Sequence, residues 1–386
     1  MKYKKLTVCL LAACLLLLSG CSDGLSLHHN FRDLEDLSLI RTIGIDTTDA
    51  GEVRLSVSTG QPVSGETGAV RLSAEGKSVT LAMESVQDYS DSEELMYAHV
   101  SYVLLGEDAA KDAGRYLDYL ERSAQIRRNT PVFVVQGGNA EDLVMDAGGD
   151  KSDITAILDS LVRTLRSRGD FQIFSYGEVL RGLSECGAAL CTSILTEENK
   201  GIGEGITAMP GGYAILQDGE TSGYLTGDGA RGVGLLRGMA GTGIIELPSG
   251  ASLQLSGCHV NMEPVVDDSG RLAELHFGVE VMAELLELNE PAKVKDPAAL
   301  RLLGEELAQV CGEWVSYVLE SQKASGGDFL GLWRKLVVWH PIIWSQVESD
   351  WSSVMQRIPF SVQTTGQVIR SRDIDDSISF NGGGRS

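Results

Sequence analysis

Leu18-Ser19-Gly20-Cys21 decides where most of this chain has to fold. Lys2, Lys4 and Lys5 open the sequence, and an apolar run follows from Leu6 to Leu18. A short positive region, an apolar stretch and then small residues form the layout of a secretory signal. Small residues at 19 and 20, directly before a cysteine, make it the lipoprotein version. Leu18, Ser19 and Gly20 are then the signal peptidase recognition residues. Cys21 becomes the first residue, carrying a diacylglyceryl group on its thiol. An ordinary signal peptide and an uncleaved anchor are the alternatives. The anchor fits less well, because crossing a bilayer takes about 20 apolar residues. All three readings put residues 22 onward outside the cytoplasm. One acyl chain binds membranes marginally and two anchor stably, so a diacylglyceryl cysteine suffices as the attachment.

Charge supports that attachment by removing others. The 386 residues carry a formal charge of −22; without residues 1–20, which hold three lysines and no acids, it becomes −25. Nucleic-acid binding needs a basic footprint, and docking on anionic lipid needs basic clusters. No later stretch approaches the 18 unbroken apolar residues of a membrane span. With 43% hydrophobic and 22% charged residues the body has the makings of a sizeable core. At roughly 100–200 residues per domain, the length suggests two or three of them.

Residues 22–36 are polar and read as a tether between Cys21 and the first domain. An N-terminal α/β domain is expected over 37–150. Leu39–Asp46 and Val53–Val57 read as antiparallel strands, with 60–74 as a connection and a helix from Gly76 to about Tyr89. Val100–Leu105 is a strand, Glu107–Glu121 a helix and Pro131–Val135 a further strand. The middle domain, 151–290, is expected to open with a helical pattern that starts at Asn139, as cap of Ala140–Asp146, and continues to Leu195. Hairpins follow over 211–290, and turn residues such as Asp218-Gly219 mark them. In the C-terminal α/β domain, 291–372, Leu300, Leu303, Leu307, Val310, Cys311, Trp314, Val315 and Val318 recur every three or four residues. That stripe predicts an amphipathic helix of about 24 residues. Asp328 is placed to cap a second helix, ended by Trp339-His340-Pro341, and a third helix and a strand from Ile358 to Ile369 close the domain. Residues 373–386 are polar and Gly-rich and read as a disordered tail. The fold class is therefore mixed α/β: three successive small α/β domains with mixed or antiparallel sheets, behind a lipoprotein signal peptide.

Catalytic and cofactor patterns fail residue by residue. Gly76-Lys77-Ser78 would need a glycine at 71, where Arg71 stands, so there is no phosphate loop. Gly201, Gly203 and Gly205 lack the βαβ context of a dinucleotide fold. GxSxG and HExxH are absent, and acid pairs such as Glu93-Glu94 and Asp267-Asp268 are too common here to select one for a hydrolase. His99 reads as a structural histidine, and His28 and His29 fall short of the three or four ligands of a metal site. After Cys21 come Cys186, Cys191, Cys258 and Cys311 without a CxxC pair. Buried free thiols and a disulfide in an oxidising compartment both remain open. Trp314, Trp333, Trp344 and Trp351 fall at core spacing, with an exposed partner surface as the other reading. No catalytic residue, metal site or cofactor is expected.

Four stretches, in this order, resemble the C-subunit lipoproteins of spore germinant receptors, the Ger(x)C type. They are the lipobox ending at Cys21, and Asp36-Leu37 through Ile43-Gly44-Ile45-Asp46. His99 through Leu104-Leu105-Gly106-Glu107-Asp108-Ala109 follows, with Tyr119-Leu120-Glu121-Arg122 and Arg127-Arg128. Last come Glu320-Ser321-Gln322, Asp328-Phe329-Leu330, Trp333, Pro341, Trp344, Trp351 and Gly366. The tether departs from the family, lengthened around His28–Arg32. The resemblance implies a three-domain α/β protein on the outer face of the inner spore membrane. It implies no enzyme, but work with integral-membrane A- and B-type subunits in nutrient-triggered germination. A solute-binding lipoprotein of a transporter is the alternative; such proteins show two similar α/β lobes, whereas the three segments here differ in pattern.

Overall fold

Branched and aromatic residues next to polar ones start the first layer. The computed structural model describes residues 37–370 apart from 61–68, 91–93, 124, 148–152, 170, 199–204, 240, 242 and 289–295. β1 (Leu37–Leu39) precedes β2 (Thr42–Thr47) and β3 (Val53–Ser58), which pair antiparallel across the expected turn. β4 (Arg71–Gly76) then pairs antiparallel with β3. The end of the expected 60–74 connection is thus a strand, in which only Leu72 and Ala74 alternate as apolar residues. α1 (Val79–Asp88) is capped by the Ser78 hydroxyl, which accepts from Leu81 N. β5 (Glu94–Met96) pairs parallel with β1 in a two-stranded sheet of its own, and β6 (Tyr102–Leu105) lies parallel to β2.

The single helix expected over Glu107–Glu121 is two, α2 (Glu107–Ala110) and α3 (Ala113–Arg122). Asp112 leaves helical geometry at φ −132°, ψ 35°, and the Gly114 N–H donates to Gly219 O at 2.7 Å rather than within a continuous helix. β7 (Val132–Val135), α4 (Ala140–Asp146), α5 (Ile154–Arg168) and α6 (Tyr176–Cys186) follow. The helical pattern then stops at Gly187, in left-handed geometry at φ 66°. Ala188–Glu198 is a strand, β8, not the continuation of helix expected as far as Leu195. β9 (Ile206–Gln217) and β10 (Glu220–Leu225) form the hairpin expected at Asp218-Gly219.

One eight-stranded sheet collects these strands in the order β10-β9-β8-β7-β6-β2-β3-β4. Its four central strands, β8, β7, β6 and β2, are parallel, and antiparallel hairpins extend it on both sides. The boundary expected between residues 150 and 151 falls inside this sheet. The hairpins expected to make one antiparallel sheet over 211–290 are shared between two.

The second sheet follows α7 (Asp228–Leu236). It contains β11 (Ile244–Glu246), β12 (Ser252–Val266) and β13 (Leu272–Glu287), successively antiparallel. Alternate residues of β13, from Leu275 through Phe277, Val279, Val281 and Ala283 to Leu285, are buried, as a strand with one covered face requires. Their cover is α8 (Pro297–Ser325), started by the Asp296 carboxylate on Ala298 N at 2.9 Å and ended by Gly326 at φ 74°. Its buried face is the predicted stripe from Leu303 to Val318, continued to Leu319 and Gln322. α9 (Leu332–Trp339), α10 (Pro341–Val347) and α11 (Trp351–Arg357) lead to β14 (Phe360–Arg370), which pairs parallel with β13. The boundary expected between residues 290 and 291 therefore separates α8 and β14 from the sheet they complete. A Cβ at Gly366 would overlap Gly304 O, so that glycine is what lets α8 lie directly on β14. The architecture is mixed α/β, with sheets of mixed strand direction and helices on their faces. No helix among the described residues is long and apolar enough to cross a membrane.

Candidate interaction surface

Residues far apart in the last resemblance stretch meet at one carboxylate. Asp328 is 2% exposed. Its Oδ1 accepts from Gln322 Nε2 at 2.7 Å and Leu332 N at 2.9 Å; its Oδ2 accepts from Trp333 N at 2.8 Å and Trp351 Nε1 at 3.0 Å. Gln322 Oε1 in turn accepts from Leu330 N at 3.2 Å. A buried carboxylate is tolerated only when its acceptor sites are filled, and four donors fill these. Asp328 thus caps α9, as its position in the sequence predicts, and also ties the end of α8 and the start of α11 to it. Trp333, Trp344 and Trp351 pack in series, with ring centroids 5.8 and 5.4 Å apart. These three and Trp314 are buried or half-buried, so their core spacing reports packing.

The knot holds a different feature outward. Where α9 gives way to α10, Val338 is 64% exposed, Trp339 75% and Ile342 77%. Pro341 has no N–H to continue α9 and starts α10 at its first turn, so the chain must turn there. From Leu336 to Val347 no acid or lysine or arginine occurs, in a chain of formal charge −22. An uncharged projection led by tryptophan, on so acidic a body, has the composition of a contact surface. In the sequence Trp339 reads only as a helix end. The available signal was Val337-Val338-Trp339 and Ile342-Ile343 on both sides of a His-Pro break, too many apolar residues for one buried stripe.

The two earlier resemblance stretches meet at the C-terminal ends of β2 and β6. Asp46 Oδ1 accepts from Ala140 N and Oδ2 from Glu141 N, both at 2.8 Å, so a strand residue caps α4. Asn139, the expected cap, makes no such bond and donates to Asp142 Oδ2 at 3.4 Å. A Cβ at Gly106 would overlap Asp46 Oδ1. Next to it, Glu107 Oε2 accepts from Tyr224 OH at 2.6 Å and Gly137 N at 2.9 Å, which fastens β10 to the turn after β7. Open α/β sheets bind ligands at such strand ends; here the place is occupied by the protein's own hydrogen bonds. Burial pushes the Asp46 carboxyl up to about 6, against the lowering effect of the two amides.

Leu18, Ser19, Gly20 and Cys21 lie outside the described residues, as do His28, His29 and the tail. Cys186, Cys191, Cys258 and Cys311 are free thiols. Burial raises the Cys186, Cys191 and Cys311 thiols to about 12 and Cys258 to about 11. His99, expected to be a satisfied structural histidine, is exposed at the end of a 3-10 turn, Tyr97–His99. Among the described residues no three His, Cys, Asp or Glu side chains come close enough to hold a metal ion.

Comparison with known proteins follows these elements. A family model described as the spore germination protein N-terminal domain matches residues 30–196, and one described as spore germination B3/GerAC like, C-terminal, matches residues 211–372. No curated protein matches significantly. A solved structure described as the crystal structure of the GerBC protein is similar in fold, with a TM-score of 0.55 and 18% identity over 85% of this chain and 96% of that one.

Proposed function

The chain belongs to the spore germinant receptor C-subunit family, and on that premise we propose that it is a non-catalytic, lipid-anchored subunit of a receptor that triggers germination in response to nutrients. In this reading, lipid on Cys21 holds the body at the outer face of the inner spore membrane. The tether over 22–36 sets its reach, and integral-membrane A- and B-type subunits are its partners. The observation that carries the reading is the uncharged projection of Val338, Trp339 and Ile342 on an otherwise acidic body. Apolar surface of this kind is stabilised by burial, at about 25 cal/mol per Å², and a protein partner beside the membrane supplies that burial.

The test is a spore strain carrying Trp339→Ala with Ile342→Ser. Fold stability of the purified variant is expected to stay within about 0.5 kcal/mol of the parent, while nutrient-triggered germination falls and the partner subunits no longer co-purify. Normal germination and co-purification would overturn the assignment of this surface. Cys21→Ala is expected to release the protein from spore membranes; membrane retention of that variant in a strain lacking the partner subunits would overturn the lipid-anchor reading.

A further inference from the structure

A cavity of about 510 Å³ opens between α7, the middle of β12 and β13, and the start of α9. Its polar lining includes Arg237, Lys335, His259 and Gln172, and it contains no Asp or Glu. That is unexpected in a chain with 54 acids against 32 lysines and arginines. The three other described cavities of similar volume each include at least one carboxylate: Glu305, Asp350, or Glu305 with Glu313.

The two strong cations here are not neutralised by contact. Arg237 Nη1 donates to the neutral Gln172 Oε1 at 2.8 Å, and the guanidinium lies over the Phe174 ring at 5.0 Å. Its Nε is buried without a hydrogen-bond partner. Among the described residues neither Arg237 nor Lys335 makes an ion pair. Arg237 feels Glu178 and Asp328 through space, opposed by Arg334, and burial dominates, disfavouring its charge. Burial does the same to Lys335. Asp328 gives no direct relief, because its oxygens are already taken by four donors. A buried donor without a partner costs about 1–3 kcal/mol, and a half-buried cation without a counter-charge also costs free energy. An anion in the cavity would offset the cost of both cations. The rest of the wall includes the half-buried apolar side chains of Met239, Val260 and Leu330, backed by Phe277 and Leu332.

We propose that this cavity binds a small organic carboxylate with an apolar body, its charge met by Arg237 and Lys335 and its body by the wall at Met239, Val260 and Leu330. The volume lies in the range of small-molecule sites, about 300–1,000 Å³. The inference does not depend on the receptor assignment, and a direct binding measurement separates the two.

The experiment uses the full chain, purified in detergent. Sodium 4-methylvalerate, the neutral 4-methyl-1-pentanol and inorganic phosphate are titrated by calorimetry, with thermal unfolding in parallel. The carboxylate is expected to bind and raise Tm, with the alcohol and phosphate at least about tenfold weaker. Lys335→Gln and Arg237→Lys are each expected to weaken carboxylate binding about tenfold, the loss of one charged hydrogen bond. Arg301→Gln, which removes a cation elsewhere on the surface, is expected to leave it unchanged. Equal binding of alcohol and carboxylate, phosphate binding as tightly as the carboxylate, no binding at millimolar carboxylate, or an unchanged Kd in folded Lys335→Gln would each overturn the proposal.

Discussion

The indole N–H of Trp351 donates to Asp328 Oδ2 at 3.0 Å, so the start of α11 is tied to the start of α9 through one buried carboxylate. Asp328→Ala leaves the Trp351 indole, the Gln322 amide and the backbone amides of Leu332 and Trp333 without that acceptor. Each buried orphan costs about 1–3 kcal/mol, and relaxation recovers part of the sum. A loss of about 3–5 kcal/mol is expected, in the range for breaking a buried charged network. Trp351→Phe removes one donor and keeps most of the packing, so about 1–2 kcal/mol is expected. Urea midpoints at unchanged m-value measure both.

Asp46 makes stability depend on pH in an unusual direction. Its folded-state value, about 6, lies above the ordinary carboxylate value of 3.8, chiefly through burial. Stability from this group is therefore complete below about pH 4 and is lost as pH rises through about 6, by on the order of 3 kcal/mol. Asp46→Asn removes that titration. The difference in unfolding free energy between parent and variant is expected to shift in the variant's favour from pH 4 to pH 7. A flat difference would show that the two backbone amides balance burial, and one that moves the other way that they outweigh it.

Gly106 and Asp46 are expected to behave as one unit. Gly106→Ala places a methyl group on Asp46 Oδ1 and is expected to cost about 2 kcal/mol or more. Asp46→Ala loses a helix cap, at about 1 kcal/mol. In the double variant the methyl meets chiefly Ala140 N at 3.2 Å. The combined cost is then expected to fall short of the sum by more than about 0.5 kcal/mol, the usual mark of contact. Additive costs would exclude the clash.

Thiol chemistry offers a simple check on burial. Cys191 and Cys311 are fully buried with thiols near 12, so iodoacetamide at pH 8 is expected to leave both unmodified in the native protein. In denaturant all four of Cys186, Cys191, Cys258 and Cys311 become reactive. If Cys21 carries lipid, mass spectrometry of membrane-derived protein finds no fifth thiol.

Much of the local structure was legible because it depends on neighbours in the chain. The stripe from Leu303 to Val318 gave α8, Asp218-Gly219 gave the β9–β10 turn, and Asp328 gave the cap of α9. β8 is not legible as a strand for a physical reason: residues 188–194 are all buried, so no polar alternation separates that strand from a buried helix. β4 carries only Leu72 and Ala74 as a weak alternation. The domain limits at 150 and 290 were out of reach of periodicity, which reveals that a strand exists but not its partner. β8 pairs with β7 across α4, α5 and α6, and β14 with β13 across four helices. Asp46 displaced Asn139 as a cap by a contact 94 residues distant in sequence. Of the candidate site, the Asp328 and tryptophan framework was in view, whereas Trp339 was not, because exposure depends on what fails to pack against a residue.

The parallel pairing of β14 with β13 has a consequence for biosynthesis. β13 ends at Glu287, but its neighbour on that side, Phe360–Arg370, is made only after another 72 residues of chain. Until then an eleven-residue register along β13 is an open strand edge, the kind that recruits foreign strands. The eight-stranded sheet, complete by Leu225, is under no such delay. A chain cut before Phe360 would therefore combine a finished front half with a sticky, half-built sheet, exposed to aggregation and proteolysis before it could do anything else.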